Sequence, residues 1–186
     1  MKDIEEKIAE IKRCFRSAMN GEAARSMREK GVNYKVNWGV SLPELRRMAE
    51  EYGKDKALAA ALWKEDVREC KILATLIMPA KEMKADTAEL WMEQTTTQEL
   101  AEMAALNLYQ HIDGASTLAF RWIASDNDLR QICGYGILSR LFTRGFRLSD
   151  RDADEFTDQS ETAMLSPSLS VRHAAANCIA RYKEMI

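Results

Sequence analysis

From about residue 55 onward the chain repeats itself. Helical stretches come in pairs, and the pairs recur roughly every 30 to 35 residues, near the range of periods at which neighbouring units stack to bury a shared core. The spacing of apolar residues predicts helices near 55–64, 66–78, 85–93, 97–112, 115–124, 127–143, 150–164 and 169–184. Their starts are read from Asp66, Asp86 ahead of Glu89, Thr96 ahead of Glu99, Asp126 or Asn127, and Ser149, whose side chains can accept from the first free amides. Upstream, Ile4, Ile8, Ile11 and Phe15 share one helical face, and a short helix spans Glu22 to Lys30. Ser41-Leu42-Pro43-Glu44 is a capping box with an early proline, predicting a helix to about Tyr52. Between them, Gly31 to Val40 shows no period and reads as a loop.

The second helix of three pairs opens alike, with Val67-Arg68-Glu69, Leu129-Arg130-Gln131 and Val171-Arg172-His173, each followed by small or aliphatic residues. This resembles the Val-Arg signature of HEAT repeats. The expected fold is therefore an all-α, HEAT-like solenoid of antiparallel helix pairs, an α-α superhelix forming one domain over residues 1–186. Arg68, Arg130 and Arg172 stand two to four residues after Asp66, Asp126 and Ser168, a spacing suited to tying neighbouring repeats together. The alternative is that these arginines face a ligand.

Composition narrows the function classes. With 46% hydrophobic and 30% charged residues and only three prolines, the chain carries enough apolar mass for a continuous helical core. Cys14, Cys70, Cys133 and Cys178 stand far apart, with no C-x-x-C, and His111 and His173 are solitary, so neither a metal site nor a cofactor motif is expected. Reduced thiols, a charged N-terminus and the lack of a long apolar run point to a cytoplasmic protein without a membrane partner. The net charge of -2 argues against indiscriminate nucleic-acid binding, yet the cations are unevenly spread. Residues 85–120 contain no Lys or Arg, whereas the flanking segments are rich in them.

Three strings carry a more specific likeness: Gly39-Val40-Ser41-Leu42-Pro43-Glu44-Leu45-Arg46-Arg47, then Leu62-Trp63-Lys64 with Arg68-Glu69, then Arg121-Trp122-Ile123-Ala124-Ser125-Asp126-Asn127. In order and spacing they resemble the DNA alkylation repair family, the HEAT-like glycosylases of the AlkD type, from about residue 25 onward. The resemblance implies a concave face that cradles duplex DNA and an enzyme that releases cationic N3- or N7-alkylated purines. Such a leaving group is already activated by its charge. Two tryptophan faces, a carboxylate and a phosphate-binding arginine would then suffice to stabilise an oxocarbenium-like sugar.

Carried over one residue at a time, those roles fall on changed side chains. The family's Trp-Asp-x-Val-Asp motif lies on Gln98-Glu99-Leu100-Ala101-Glu102, so Gln98 replaces an indole and Glu102 stands for the catalytic carboxylate. The arginine position falls on Ile132 and the second tryptophan position on Asn177. Glu99 and Glu102, at i and i+3, read alternatively as a solvated acidic face. Trp63, Trp91 and Trp122 read as packing residues and Trp38 as the most exposed aromatic. The candidates for phosphate contact are Arg46, Arg47, Arg68, Lys71, Arg130 and Arg172, with Arg140, Arg144 and Arg147 clustered near a helix end.

These residues predict a DNA alkylation repair-type protein that binds duplex DNA, with 3-methyladenine and 7-methylguanine glycosylase activity weak or lost. The competing reading is a HEAT-repeat scaffold that holds a peptide or protein partner.

Overall fold

Residues 3–185 of the computed structural model are described, and among them the apolar periodicity becomes eleven α-helices. They are α1 (Ile4–Ser17), α2 (Gly21–Glu29), α3 (Leu42–Tyr52), α4 (Lys56–Trp63), α5 (Arg68–Ile77), α6 (Ala85–Glu93), α7 (Gln98–Asn107), α8 (Ala115–Ile123), α9 (Asp128–Thr143), α10 (Asp150–Met164) and α11 (Leu169–Met185). The predicted helices all form. Some caps differ: Thr97 rather than Thr96 accepts from Leu100 N, and neither Asp66 nor Asp86 caps its helix, because α5 and α6 follow the extended residues Val67 and Lys84. Asn127, Ser149 and Ser41 cap α9, α10 and α3 as the sequence suggests. The helix expected to run to residue 112 stops at Asn107. Leu108 leaves helical geometry, and the 3-10 turn Tyr109–His111 follows, with Tyr109 fully buried edge-on against Trp122 at 5.1 Å.

The chain divides into two compact units, residues 1–83 and 84–186. In the first, α5 packs on α3 and α4, and α1 lies against α4. Ile11, Phe15, Leu45, Leu58, Leu62 and Ile72 are buried there, and Lys7–Asp55 and Lys12–Glu65 ion pairs fasten α1 to the two ends of α4. The loop of residues 31–40 is held without a sheet. Val36 forms one isolated bridge with Val67, and the fully buried carboxylate of Glu69 accepts from Trp38 N and Val40 N, each at 3.2 Å. The Arg68 guanidinium, 4% exposed, donates to Val40 O at 3.0 Å and lies 3.3 Å from Glu69. Gly39 has φ +71°, and a Cβ there would stand 2.2 Å from Asn20 O at the start of α2. Only glycine fits.

In the second unit α9 is the central helix, packed on α7, α8 and α11, while α10 backs α11. Two glycines let it sit close: a Cβ at Gly134 would meet Ala119 O at 2.9 Å, and one at Gly136 would meet the Ala105 methyl at 3.2 Å. Phe142, Phe156 and Tyr182 close the far end with ring centroids 5.1–5.3 Å apart. Trp63, Trp91 and Trp122 are all buried, as packing residues should be. Cys70, Cys133 and Cys178 are buried and Cys14 is exposed.

Two variants probe the loop anchor by denaturant titration. Arg68→Ala leaves Glu69 as a buried anion without its guanidinium, and it lowers the stability of the first unit by about 3–5 kcal/mol. Arg47→Ala, which breaks only exposed pairs with Glu44 and Glu51, leaves the midpoint essentially unchanged.

Candidate functional site

The second helices of the three pairs in the second unit line one cavity. Glu102, Met103, Ala105 and Leu106 come from α7, Ile132, Tyr135, Gly136, Ser139 and Arg140 from α9, and Ala174 and Asn177 from α11. Its volume is about 250 Å³. Three of the four positions singled out by the sequence resemblance, Glu102, Ile132 and Asn177, therefore meet at one place, and the fourth, Gln98, donates to Glu102 Oε1 at 2.8 Å. Gln98 and Glu102 are one helical turn apart, which is why the amide can reach the carboxylate. No tryptophan lines the cavity. Ile132 is buried and forms apolar wall, while Glu102 and Asn177 are exposed at the mouth.

Helical spacing explains the side chains that the sequence did not single out. Tyr135, Gly136, Ser139 and Arg140 follow Ile132 at i+3, i+4, i+7 and i+8, so they share its face of α9. Arg140, expected only as one of several surface cations, lies in the cavity lining. Arg144 is drawn away to Gln110 O and the His111 ring.

The other predicted cations are dispersed. Arg46 is exposed on α3, beside a shallow cavity shared with Glu50 and Lys54, and Arg47 is tied to Glu44 and Glu51 on the same helix. Lys71 is half-buried, donating to Trp63 O at 2.9 Å with its ammonium 4.8 Å from the centre of the Trp63 ring, and this burial lowers its pKa. Arg68 belongs to the interior. A phosphate role for it does not fit, because its guanidinium is enclosed with Glu69 and the Val40 carbonyl. Arg172 donates to Ser166 O.

Arg130 joins α9 to α6 through Glu89 at 2.7 Å and Glu93 at 3.7 Å, and Arg121 of α8 reaches the same Glu89. Arg130 and Arg172 thus reach Glu89, Glu93 and Ser166 O rather than the side chains of Asp126 and Ser168 four residues before them. The reason is direction: a side chain near a helix start leans back over the preceding turn, toward whatever element covers it. Burial pushes the Glu89 carboxyl up, but Arg121 and Arg130 beside it favour the charged form, and the group is held below its ordinary value of 4.5. The described residues hold no group of three or more His, Cys, Asp or Glu that could bind a metal ion. No described helix is long and apolar enough to cross a membrane.

A family model described as DNA alkylation repair enzyme matches residues 11–184. The chain belongs to that family. A solved structure described as a new family of proteins related to the HEAT-like repeat DNA glycosylases, with affinity for branched DNA structures, superposes with a TM-score of 0.82 at 18% identity, covering 97% of this chain and 75% of that one. At that identity the likeness concerns the fold, which is HEAT-like and all-helical. Comparison with curated proteins gave no match. The α7–α9–α11 cavity thus gathers Glu102, Ile132 and Asn177, the positions onto which the sequence resemblance carries cleft roles.

Because Glu89 titrates below its ordinary value when folded, its stabilising effect is complete above about pH 4.5 and is lost as pH falls through the lowered value. Glu89→Gln should therefore cost about 1 kcal/mol at neutral pH. In denaturation midpoints measured from pH 7 down to pH 3, the gap between variant and wild type closes at the acid end.

Proposed function

We propose that this protein is a DNA-binding member of the alkylation repair family that takes up duplex DNA, with branched forms favoured, and that its excision of N3- or N7-alkylated purines is weak or lost. The observation that carries this reading is the make-up of the α7–α9–α11 cavity: it retains one carboxylate, Glu102, but offers Gln98, Ile132 and Asn177 where the resemblance implies two indoles and an arginine. A cation–π contact in a desolvated site is worth about 2 kcal/mol, so two lost contacts slow the step about a thousandfold. Glu102 reaches one methylene further than aspartate and is engaged by Gln98, which further loosens its placement against a sugar.

DNA binding is supported by the family and by the affinity for branched DNA ascribed to the structurally similar protein. The charge distribution suits modest rather than strong binding. In the second unit acidic residues outnumber Lys and Arg, whereas the first unit has a cationic excess that includes the exposed Arg46. Fewer neutralised phosphates mean a shallower dependence on salt. On this reading Glu102 is the surviving catalytic-type carboxylate, and Arg46 and Arg47 are candidates for backbone contacts.

Purified protein should bind a four-way or forked junction more tightly than linear duplex of equal length, with affinity falling as salt rises. It should yield few alkali-labile breaks from duplex carrying one N7-methylguanine. Rapid excision abolished by Glu102→Ala would restore the glycosylase reading. Absence of DNA binding even at low salt would instead favour a protein partner.

A further inference from the structure

A carboxylate and a guanidinium line the same α7–α9–α11 cavity without forming an ion pair with each other. Glu102 is engaged by Gln98, and Arg140, exposed at the end of the same α9 face as Ile132, has no ion-pair partner among the described residues. Of the arginines in its unit, Arg140 is the one that lines this cavity. Arg121 and Arg130 are spent on Glu89, Arg181 on Glu184, and Arg144 and Arg172 on backbone carbonyls. Eight residues of helix separate Ile132 from Arg140, a rise of about 12 Å, so the cation stands at one end of the cavity face and not at its centre. Between them lie apolar walls from Ile132, Met103 and Leu106, with the Asn177 amide and the Ser139 hydroxyl also in the lining.

We propose that this cavity takes an unpaired nucleotide of a branched DNA, with Arg140 on its phosphate, its ring between the aliphatic walls, and the base edge against Glu102 and Asn177. The inference rests on the DNA-binding reading above and names what its cavity holds. Each group selects part of that ligand. A guanidinium with free donors matches phosphate oxygens. A carboxylate accepts from ring or exocyclic N–H groups, and an amide both donates and accepts. Aliphatic walls suit a ring removed from its stack. In intact duplex the same edge is paired and the same faces are stacked, so exposing them costs free energy. At a branch point that cost has already been met. Preference for branched over linear DNA then follows without any contact that reads sequence.

The test uses the full chain with a forked duplex bearing 2-aminopurine as its first unpaired base, read by reporter emission and by anisotropy at several salt concentrations. Wild type should raise the emission on binding. Arg140→Ala should weaken fork binding about tenfold and reduce the salt slope by about one, while linear duplex affinity changes less than twofold. Arg140→Lys should recover part of the loss, Asn177→Leu should suppress the emission rise, and Arg181→Ala should match wild type. Fork binding that is indifferent to Arg140→Ala, or that leaves the reporter stacked, overturns the proposal while leaving DNA binding intact. Displacement of the fork by millimolar free deoxynucleoside monophosphates would assign the cavity to mononucleotides and overturn it also. Failure of wild type to bind any DNA would instead remove the functional reading on which it stands.

Discussion

The close seating of α9 is the constraint on which the second unit depends. A sixteen-residue helix can touch α7, α8 and α11 at once only where side chains are small, and Gly134 and Gly136 supply that clearance on two different sides. The Gly134 side admits the α8 backbone and the Gly136 side admits the α7 methyl groups. Once α9 is fixed between its neighbours, the residues along one of its faces are brought opposite α7 and α11, and the cavity is what remains between three aligned helices. The position of Glu102 relative to Asn177 is therefore a packing result, set by glycines that take no part in chemistry.

Much of this fold was legible in the chain because helical periodicity is a local signal. Caps such as Ser41, Asn127 and Ser149 and the apolar spacing of α1 and α9 to α11 each depend on residues within a turn or two. Errors arose where a distant group decided. The helix through Gln98 ends early because Tyr109 is buried against Trp122, thirteen residues further on, and Arg68 is enclosed because Glu69 is needed by a loop thirty residues upstream. The cavity was half legible. The family resemblance pointed to Glu102, Ile132 and Asn177, but no local pattern distinguishes Arg140 from Arg144. Which of them keeps free donors depends on Gln110 and His111 of another element.

On the proposed reading, a repair scaffold changes purpose without changing shape. In the family pattern that the sequence resembles, the cavity stabilises positive charge with indole faces. Here the lining combines aliphatic side chains with Tyr135 and holds no indole, while Glu102 and Arg140 are exposed. On the proposed reading, a surface of that kind rewards binding in the ground state more than a developing oxocarbenium ion. On that reading function is set by a few side chains on three helices, while the core residues beneath them stay those of a helical repeat.

The end of the loop of residues 31–40 is held in part by one carboxylate, which receives both the Trp38 and Val40 amides. Those two amide protons are therefore shielded by a single acceptor. Solvent reaches either of them when Glu69 lets go, and the pair should behave as one opening event, a small cooperative element whose closing free energy is that of its latch and not of the whole unit.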